Sequence, residues 1–302
     1  MRVLVTGGTG FIGRYVVREL RRTGHEPVCL VRDPSKSGFG ADVRVVEGDV
    51  TRSESLTRVF SDIDAVIHLV GIIAENASKG ITFERLHVEA TTHVVKAARL
   101  AGIDRFIHMS ANGARENGVS RYQSTKWLAE ERVRMAGFRE WTIFRPSLIF
   151  GRPDPDCPEF GSQLVRDLLR PFPIWPVFGH GLYEMQPVSV ENVASAFVLA
   201  LSNERAPGKT YCLTGPEKLS YLQIISRLAR GAGLSERWVI KQPLWLVRPL
   251  VTLLGGTLLP ITIDQFEMLI DGNTCDSSEF QDDFGLDPIP FSVDNLAYLS
   301  DS

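Results

Sequence analysis

A chain of 302 residues is long enough to bury a large core, as one α/β unit or as two lobes. The net charge of −3 excludes the strongly basic surface that nucleic-acid-binding proteins carry. Its four cysteines show no C-x-x-C spacing, so neither a zinc site nor a redox dithiol is predicted. The sequence enters an apolar strand at once and leaves no room for a signal peptide, which predicts a cytoplasmic protein.

Apolar strands and helix-forming segments alternate through the first half of the sequence. Strands are predicted at 2–6, 27–31, 43–46, 64–70, 104–109 and 141–145. Helices are predicted at 11–22, 53–60, 83–101 and 122–136. Such alternation with short loops predicts an α/β fold, a Rossmann-type doubly wound parallel sheet with right-handed crossovers.

A glycine-rich turn follows the first predicted strand, in the run VLVTGGTGFIGR at 3–14. Gly7, Gly10 and Gly13 fit G-x-x-G-x-x-G, and Gly8 in place of Gly7 gives G-x-G-x-x-G. In a strand–turn–helix this spacing is typical of a dinucleotide site, because glycines let backbone amides approach a pyrophosphate. A purely structural glycine turn is the alternative. The predicted cofactor contacts are Gly7, Gly10, Phe11, Ile12, Gly13 and Arg14.

The end of the second predicted strand bears on cofactor choice. Arg32 follows the strand directly, where an arginine suits a 2′-phosphate and an acidic residue suits a ribose 2′-hydroxyl. Lys36 and Arg14 are placed to reach the same phosphate. Asp33 opposes this interpretation, because it could select NAD(H) by turning inward. The sequence favours NADP(H) over NAD(H), with solvated surface charges as the alternative.

After residue 150 the pattern changes. Segment 151–187 is rich in proline and aromatic residues and predicts irregular structure with one short helix around 163–169. Regular structure resumes with a helix at 190–201, a strand at 209–213 and a helix at 220–231. We therefore predict a dinucleotide-binding domain at 1–150 plus 186–214. Segments 151–185 and 215–302 would form a smaller substrate or docking lobe.

Residues 243–263, PLWLVRPLVTLLGGTLLPITI, are the most hydrophobic part of the chain. The length would reach across a bilayer, but Arg248, three prolines and a glycine pair argue against a continuous spanning helix. Two further interpretations stay open: a buried helix pair in the smaller lobe, or a surface that docks on a membrane or on an apolar partner such as a membrane redox complex.

Tyr122 and Lys126 form a Y-x-x-x-K pattern at the start of a predicted helix. Residues four apart share a helix face, so the ammonium can lie beside the phenol and favour the phenolate. Lowering a tyrosine pKa from about 10 to about 7 needs roughly 4 kcal/mol of differential stabilisation. Such a tyrosine can exchange a proton with a hydroxyl or carbonyl group. The alternative is an ordinary exposed helix start.

These motifs, in this order, resemble the short-chain dehydrogenase/reductase superfamily in its extended, atypical branch, which includes the NAD-dependent epimerase/dehydratase-like proteins. The resemblance covers about residues 1–230, and its motifs are TGGTGFIG at 6–13, GDV at 48–50, Y-x-x-x-K at 122–126 and RPS at 145–147. HLVG at 68–71, RFIHMS at 105–110 and QPV at 186–188 are similar to relatives of the accessory subunit of respiratory complex I that belongs to this superfamily.

The resemblance implies roles for individual residues. Tyr122 would be the acid/base, Lys126 would tune it, and Ser110 would lie beside the nicotinamide as a third catalytic residue. Implied cofactor contacts are Asp49 and Val50 at the adenine, Leu69, Val70 and Gly71 at the adenosine ribose, Lys126 at the nicotinamide ribose, and Pro146 and Ser147 at the nicotinamide amide. From the residues alone, Asp49 also fits a turn, and 69–71 also fit a core strand.

Two positions depart from the family pattern. The usual second serine after the fifth strand is Ala111, so Ser110 or Asn112 would have to supply its hydrogen bond. The position that matches a supporting asparagine is His87. The other histidines do not cluster in the sequence, and no metal site is predicted.

Three functions follow from this pattern. The first is an NADP(H)-dependent oxidoreductase acting on a hydroxyl or carbonyl of a small hydrophobic substrate, since the second half is rich in aromatic residues. The second is a non-catalytic NADPH-holding accessory subunit or assembly factor of a membrane redox complex, docked through 243–263. A nucleotide-sugar epimerase or dehydratase is third, because the second half offers few basic residues for a sugar diphosphate.

Overall fold

The computed structural model describes residues 1–154, 157, 159–256, 259 and 261–301. The strands in chain order are β1 (Arg2–Thr6), β2 (Glu26–Val31), β3 (Arg44–Glu47), β4 (Ala65–His68), β5 (Arg105–Met109), β6 (Glu140–Pro146), β7 (Ile149–Phe150), β8 (Ile174–Phe178), β9 (Glu184–Met185), β10 (Val188–Ser189), β11 (Lys209–Leu213), β12 (Leu219–Ser220) and β13 (Trp238–Gln242). The α-helices are α1 (Phe11–Arg22), α2 (Ala90–Leu100), α3 (Arg121–Arg134), α4 (Phe160–Leu164), α5 (Val190–Leu199), α6 (Tyr221–Gly231), α7 (Leu244–Leu254), α8 (Ile263–Asp271) and α9 (Ser278–Phe284).

Seven parallel strands form the central sheet, in the order β11-β6-β5-β4-β1-β2-β3. The middle strands are buried along nearly all of their length, and residues 3–5 and 65–67 have no exposed surface. Strands covered on both faces are nearly continuous apolar runs, which is why the sequence identifies them well. The predicted α/β doubly wound parallel sheet is confirmed.

Two predicted helices differ from the structure. The segment predicted as a helix at 53–60 forms a 3₁₀ turn instead, Ser53–Leu56. The hydroxyl of Ser55 donates to the carbonyls of Asp49 and Arg52, and such local side-chain bonds compete with a helix. The helix predicted at 83–101 begins as a π-helical stretch, Glu84–Glu89, before α2.

The glycine turn between β1 and α1 is built on a close backbone approach. A Cβ on Gly13 would lie 2.2 Å from the carbonyl oxygen of Gly7, so no other residue fits there. Gly7 has φ of +76°, the left-handed conformation that glycine adopts without strain. The turn therefore holds the first turn of α1 against the end of β1.

The chain folds as two compact units. The first contains 1–146, 193–213 and 277–286, and the second contains 147–192, 214–276 and 287–302. Compared with the predicted domains, this division places residues 186–192 in the second unit and α9 in the first. Phe280 and Phe284 stack on each other at 4.8 Å and pack edge-on against Phe144 and Tyr211 of the central sheet.

The second unit has its own apolar core and three two-stranded sheets among its described residues. Its 151–185 segment contains α4, a π-helical stretch (Val165–Leu169) and β8; residues 155, 156 and 158 lie outside the described residues. Aromatic and aliphatic side chains from these elements and from α6 form the core, including Trp175, Val177 and Ile224.

The hydrophobic stretch 243–263 becomes α7 and the start of α8, with 257, 258 and 260 outside the described residues. Of α7, only Val247 and Val251 are buried, and they pack with Phe266 of α8. Helix α7 therefore packs against α8 through one face, and the predicted buried helix pair describes only that face. Within the described part of the chain, no helix combines the length and the hydropathy that crossing a bilayer requires.

Replacing Gly13 with alanine tests the close approach. We expect Gly13→Ala to lower the free energy of unfolding by about 3 kcal/mol or more, because the added methyl group meets backbone that cannot rotate away. Urea denaturation followed by circular dichroism measures the loss.

Gly10→Ala is the matched control in the same turn. Gly10 has φ of −78°, and its Cβ would make an ordinary 3.4 Å contact with the oxygen of Gly7. Because alanine is less favourable than glycine at an N-cap, we expect Gly10→Ala to lower the free energy of unfolding by about 1 kcal/mol at most. Equal stability of Gly13→Ala and Gly10→Ala would contradict the proposed packing.

Candidate functional site

The N-terminus of α1 is the first element of the site. Gly10 is its N-cap, and a glycine has no side chain with which to cap the first amide groups of the helix. Such amides together with the helix dipole favour a bound anion such as a phosphate. The glycine turn keeps side chains out of the approach, because Gly7, Gly10 and Gly13 carry none. These residues fit the pyrophosphate of a dinucleotide.

The three charged residues after β2, Arg32, Asp33 and Lys36, differ in exposure and in bonding partners. Arg32 is exposed. Burial raises the pKa of Asp49, but hydrogen bonds from Thr51 and, to a smaller extent, the charge of Arg32 lower it below its usual value. Lys36 forms an ion pair with Asp33, 3.0 Å from nitrogen to oxygen. Asp33 also accepts hydrogen bonds from the amide and hydroxyl of Ser35, so its carboxylate caps the turn at 34–36.

Arg14 extends from the first turn of α1 toward residues 37–39. Its guanidinium lies 5.5 Å from the ring centre of Phe39 and donates to the carbonyl of Ser37 at 3.4 Å. Arg14 and Lys36 thus contact different residues of the protein, and their convergence with Arg32 on one phosphate stays a prediction. Lys36 is held by Asp33, and Asp33 is directed at its own turn.

The residues implied at the adenosine lie after β3 and β4. Asp49 accepts hydrogen bonds from the amide and hydroxyl of Thr51, at 2.9 and 2.8 Å, which fixes the orientation of its carboxylate. Val50 and Val70 are partly exposed, whereas Leu69 is buried with only 5% of its surface accessible. The side chain of Leu69 therefore belongs to the core, and it is the backbone of 69–71 that borders the glycine turn.

Pro146 and Ser147 lie on either side of the division between the units. Pro146 ends β6 in the first unit, and its carbonyl accepts from the amide of Asn112 at 2.9 Å. Ser147 begins the second unit, where its hydroxyl donates to the carbonyl of Gln186. Their predicted contact with a nicotinamide stays a prediction.

Helix α3 presents Tyr122 and Lys126 one turn apart, after the N-cap Ser120. Tyr122 is half-buried and packs edge-on against the rings of Phe83 and His87, at 5.7 and 5.3 Å between centroids. Burial raises the pKa of Tyr122 to about 12. This direction is opposite to the lowered pKa that the sequence predicts for a tyrosine beside Lys126 and a bound nicotinamide, and that lowering stays a prediction for the cofactor-bound site.

The ammonium of Lys126 is buried at the carboxyl end of β5. Its Nζ donates to the carbonyl of Met109 at 2.7 Å, and a Cβ on Gly71 would lie 3.3 Å from it. Burial lowers the pKa of Lys126 to about 8, while the charge of Glu130 acts in the opposite direction. Gly71 therefore leaves the space beside the ammonium open.

His87 links α3 to the segment that follows β4. Its Nδ1 lies 2.9 Å from the hydroxyl of Thr125, and its Nε2 lies 3.1 Å from the amide of Ile72. Nε2 also lies 3.1 Å from the carbonyl oxygen of Ile72, so either tautomer of the ring finds a partner at each nitrogen. Burial lowers the pKa of His87 to about 2, so the ring is neutral and serves to link α3 to the segment after β4.

Ser110 is held by a buried carboxylate. Its hydroxyl donates to Glu130, which has no exposed surface. Arg145 donates to both oxygens of Glu130 at 2.7 Å, and Arg134 donates to one of them at 2.6 Å. The hydroxyl proposed from sequence as a catalytic donor is thus already donated to Glu130.

Glu130 was not identified from the sequence, although a signal exists. Tyr122, Lys126, Glu130 and Arg134 follow one another at intervals of four residues and so lie along one face of α3. Extending the Y-x-x-x-K pattern by two further turns would have predicted an ion-pair ladder beneath the tyrosine.

The histidines do approach one another, contrary to the expectation from their spacing. His68 and His108 are paired in register on β4 and β5, and their rings stack at 5.5 Å. His68 bonds to the hydroxyls of Thr6 and Thr91, at 2.6 and 3.0 Å. Across the described residues, no group of three or more His, Cys, Asp or Glu side chains is arranged to hold a metal.

These buried imidazoles make stability depend on pH. Burial, with the charge of Lys126, lowers the pKa of His68 to about 3 and that of His87 to about 2, and the pKa of His108 is also well below its usual value. The unfolded chain takes up these protons below a pH of about 6.5 and the folded protein does not. As the pH falls from about 6 to about 5, each imidazole should lower the free energy of unfolding by about 1 kcal/mol.

His87→Asn isolates one of these contributions. We expect urea denaturation of this variant to show a pH dependence shallower by about one proton, whereas His180→Asn, at an exposed position, should retain the wild-type slope. An unchanged slope for His87→Asn would show that His87 is protonated in the folded protein.

Comparison with known proteins identifies a family and a fold for the chain. The model of the NAD dependent epimerase/dehydratase family matches residues 3–213, which include the glycine turn, β4, β5 and α3. The fold of UDP-glucose 4-epimerase from Thermotoga maritima is similar, with a TM-score of 0.74, 20% identity, and coverage of 100% of this chain and 98% of that one.

Two relatives are similar in sequence. Subunit 9 of the NADH dehydrogenase (ubiquinone) 1 alpha subcomplex from Mus musculus is 31% identical over 248 residues, 80% of this chain and 63% of that protein. A ceramide reductase from Caulobacter vibrioides is 36% identical over 198 residues, 65% of this chain and 59% of that protein. The chain thus spans under two thirds of the length of each. From its motifs, its fold and the match over 3–213, the chain belongs to the NAD dependent epimerase/dehydratase family of extended short-chain dehydrogenases.

Proposed function

We propose that this protein is an NADP(H)-dependent oxidoreductase that reduces a carbonyl, or oxidises the corresponding hydroxyl, on a small hydrophobic molecule. The observation that carries the proposal is the pair on α3: Tyr122 half-buried, with Lys126 one turn later at the carboxyl end of β5. The ceramide reductase similarity supports an apolar substrate, since the name of that relative specifies a lipid.

In this mechanism Tyr122 supplies the proton. With a pKa raised to about 12 by burial, the phenol is protonated at neutral pH and is a donor toward a carbonyl oxygen. A bound nicotinamide cofactor supplies the hydride. Lys126, held by the carbonyl of Met109 and facing the space beside Gly71, keeps a positive charge near the phenol and stabilises the phenolate that remains.

His87 and Glu130 act through these two residues. His87 fixes α3 against the segment after β4 by its bonds to Thr125 and Ile72, which sets the distance between the phenol and the backbone of 69–71. Glu130 lies one turn beyond Lys126 and favours the charged ammonium. Both are positioning residues.

The preference for NADP(H) is supported by Asp33. Its carboxylate is engaged by Ser35 and Lys36, so it is not turned toward a ribose hydroxyl, and Arg32 is exposed directly after β2. An arginine at this place offers a fork of donors to a 2′-phosphate.

A second function is favoured by one specific observation. Ala111 stands at the position of the usual serine, and the hydroxyl of Ser110 is donated to Glu130. A site without that donor suits a protein that holds NADPH without turnover, as an accessory subunit of a membrane redox complex. The similarity to subunit 9 of NADH dehydrogenase supports this alternative.

Tyr122→Phe separates the two functions. If Tyr122 is the proton donor, NADPH oxidation with long-chain ketones and keto-lipids should slow by about 100-fold or more, while NADPH affinity stays the same. The matched control is Tyr183→Phe, which removes a hydroxyl from the second unit and should leave the rate unchanged. Wild-type protein that binds NADPH but oxidises it with no carbonyl compound would favour the accessory role.

Arg32→Ala tests the cofactor preference. We expect the Kd for NADPH to rise about 30-fold, since a charge-assisted hydrogen bond is worth about 2 kcal/mol, with the Kd for NADH unchanged. Fluorescence titration with both cofactors measures this. Equal affinity of the wild type for NADPH and NADH would contradict the preference.

A further inference from the structure

The second unit exposes an unusually apolar surface. Trp238 on β13 has 85% of its surface exposed, and Trp245 and Leu253 on α7 have 77% and 80%. A large exposed apolar patch indicates a binding surface, whereas single exposed apolar side chains are common. We define the β13–α7 surface by six exposed side chains: Trp238, Ile240, Trp245, Leu246, Leu250 and Leu253.

Strand β13 gives one side of this surface. Among the described strands it pairs with β8 alone, in parallel, so that Trp238 lies opposite Ile174, which is also exposed. Trp238 and Ile240 are two residues apart and point to the same face of the strand. This two-stranded sheet therefore presents an apolar face that no described residue covers.

Helix α7 gives the other side and follows β13 after Pro243. Val247 and Val251, one turn apart, face α8 and its buried Phe266. Leu246, Leu250 and Leu253 are spaced at i, i+4 and i+7 and lie together on a different face, which is exposed. The helix is thus apolar on both faces, and its own unit buries only one.

The charge of this segment is one-sided. Residues 237–263 contain three basic residues, Arg237, Lys241 and Arg248, and no acidic residue, and the acidic Glu236 and Asp264 lie directly outside this segment. Arg237 donates to backbone carbonyls, among them that of Leu169, and forms no ion pair with a described carboxylate. Lys241 is exposed and has no ion pair with any described residue, whereas Arg248 is paired with Glu267 at 2.9 Å.

Exposed tryptophan and leucine side chains next to basic residues favour a lipid surface over a protein partner. Protein interfaces are depleted in lysine, and their apolar centre excludes charge. Segments that lie on membranes combine tryptophan and leucine with lysine and arginine, because indole rings favour the headgroup region and cations are attracted to anionic lipids. At 11 residues, α7 is far shorter than the roughly 20 residues that crossing requires.

We propose that the β13–α7 surface docks on the face of a bilayer that contains anionic lipids, with α7 lying in the membrane plane. Trp238, Trp245 and the exposed leucines enter the headgroup boundary, and the long side chain of the exposed Lys241, from the other face of β13, reaches lipid phosphates. The inference does not depend on the redox reaction, since none of these residues belongs to the site around Tyr122. Docking would place the protein on the membrane, in which a hydrophobic substrate would dissolve.

Vesicle flotation with the full chain tests the proposal. We expect the protein to float with vesicles of phosphatidylcholine containing about one third phosphatidylglycerol, and much less with phosphatidylcholine alone. The double variant Trp238→Ser/Trp245→Ser should reduce the partition coefficient about tenfold or more. Lys241→Glu should reduce it about fivefold on anionic vesicles only.

Leu100→Ser/Met135→Ser is the matched control, because both side chains are highly exposed, 80% and 75%, but lie in the first unit. It should float like the wild type. All variants replace exposed residues, and thermal unfolding by circular dichroism checks that they remain folded. Folded wild-type protein that stays off both kinds of vesicle would overturn the proposal.

Two other results would also overturn it. One is equal flotation of the wild type and the double tryptophan variant. The other is a dimer in analytical ultracentrifugation that the tryptophan replacements dissociate, which would assign the surface to a second copy of the chain. Loss of turnover with intact flotation would contradict the proposed reaction and leave the docking surface standing, so the two failures are distinguishable.

Discussion

The approach of α1 to the turn before it is the constraint on which the rest of the molecule depends. With glycine at position 13, the helix begins against the carbonyl of Gly7, and its N-cap, Gly10, has no side chain to cap the first amides. The parallel sheet then brings the carboxyl ends of β4 and β5 to the same edge as this turn. The proposed anion site and the tyrosine–lysine pair share one edge of the sheet because the strands run in the same direction.

Charged side chains are buried beneath that edge, and burying charge costs free energy unless each group is paired. Lys126 is almost fully buried, and its charge is offset by the carbonyl of Met109 and by Glu130 one turn away. Glu130 is in turn paired with Arg145 and Arg134. Removing one partner of such a network leaves a buried charge unpaired, which costs far more than the network contributes when complete.

Much of the first unit could be predicted from the sequence, because apolar runs, glycine spacing and Y-x-x-x-K are local patterns. The contacts that decide the chemistry are not local. The bond from Ser110 to Glu130 joins residues 20 apart, and that from His87 to Ile72 joins residues 15 apart. The raised pKa of Tyr122 depends on burial by neighbouring elements, which a helix-face argument does not include.

The second unit was less predictable for a related reason. Its proline-rich and hydrophobic segments indicate neither what they bury nor what they expose, and the same apolar run fits a core helix and a surface helix. Only the structure separates Val247, which is buried, from Trp245, which is exposed. In the same way, the place of α9 in the first unit depends on the packing of Phe280 against aromatic residues of the sheet.

The most direct test of the central claim is a crystal structure of the protein soaked with NADPH. We expect diphosphate density at the N-terminus of α1, within hydrogen-bond distance of the backbone amides of the first helical turn, and the nicotinamide ring beside Tyr122. Density for the cofactor at another place on the first unit, or a glycine turn that stays free of ligand at saturating NADPH, would contradict it.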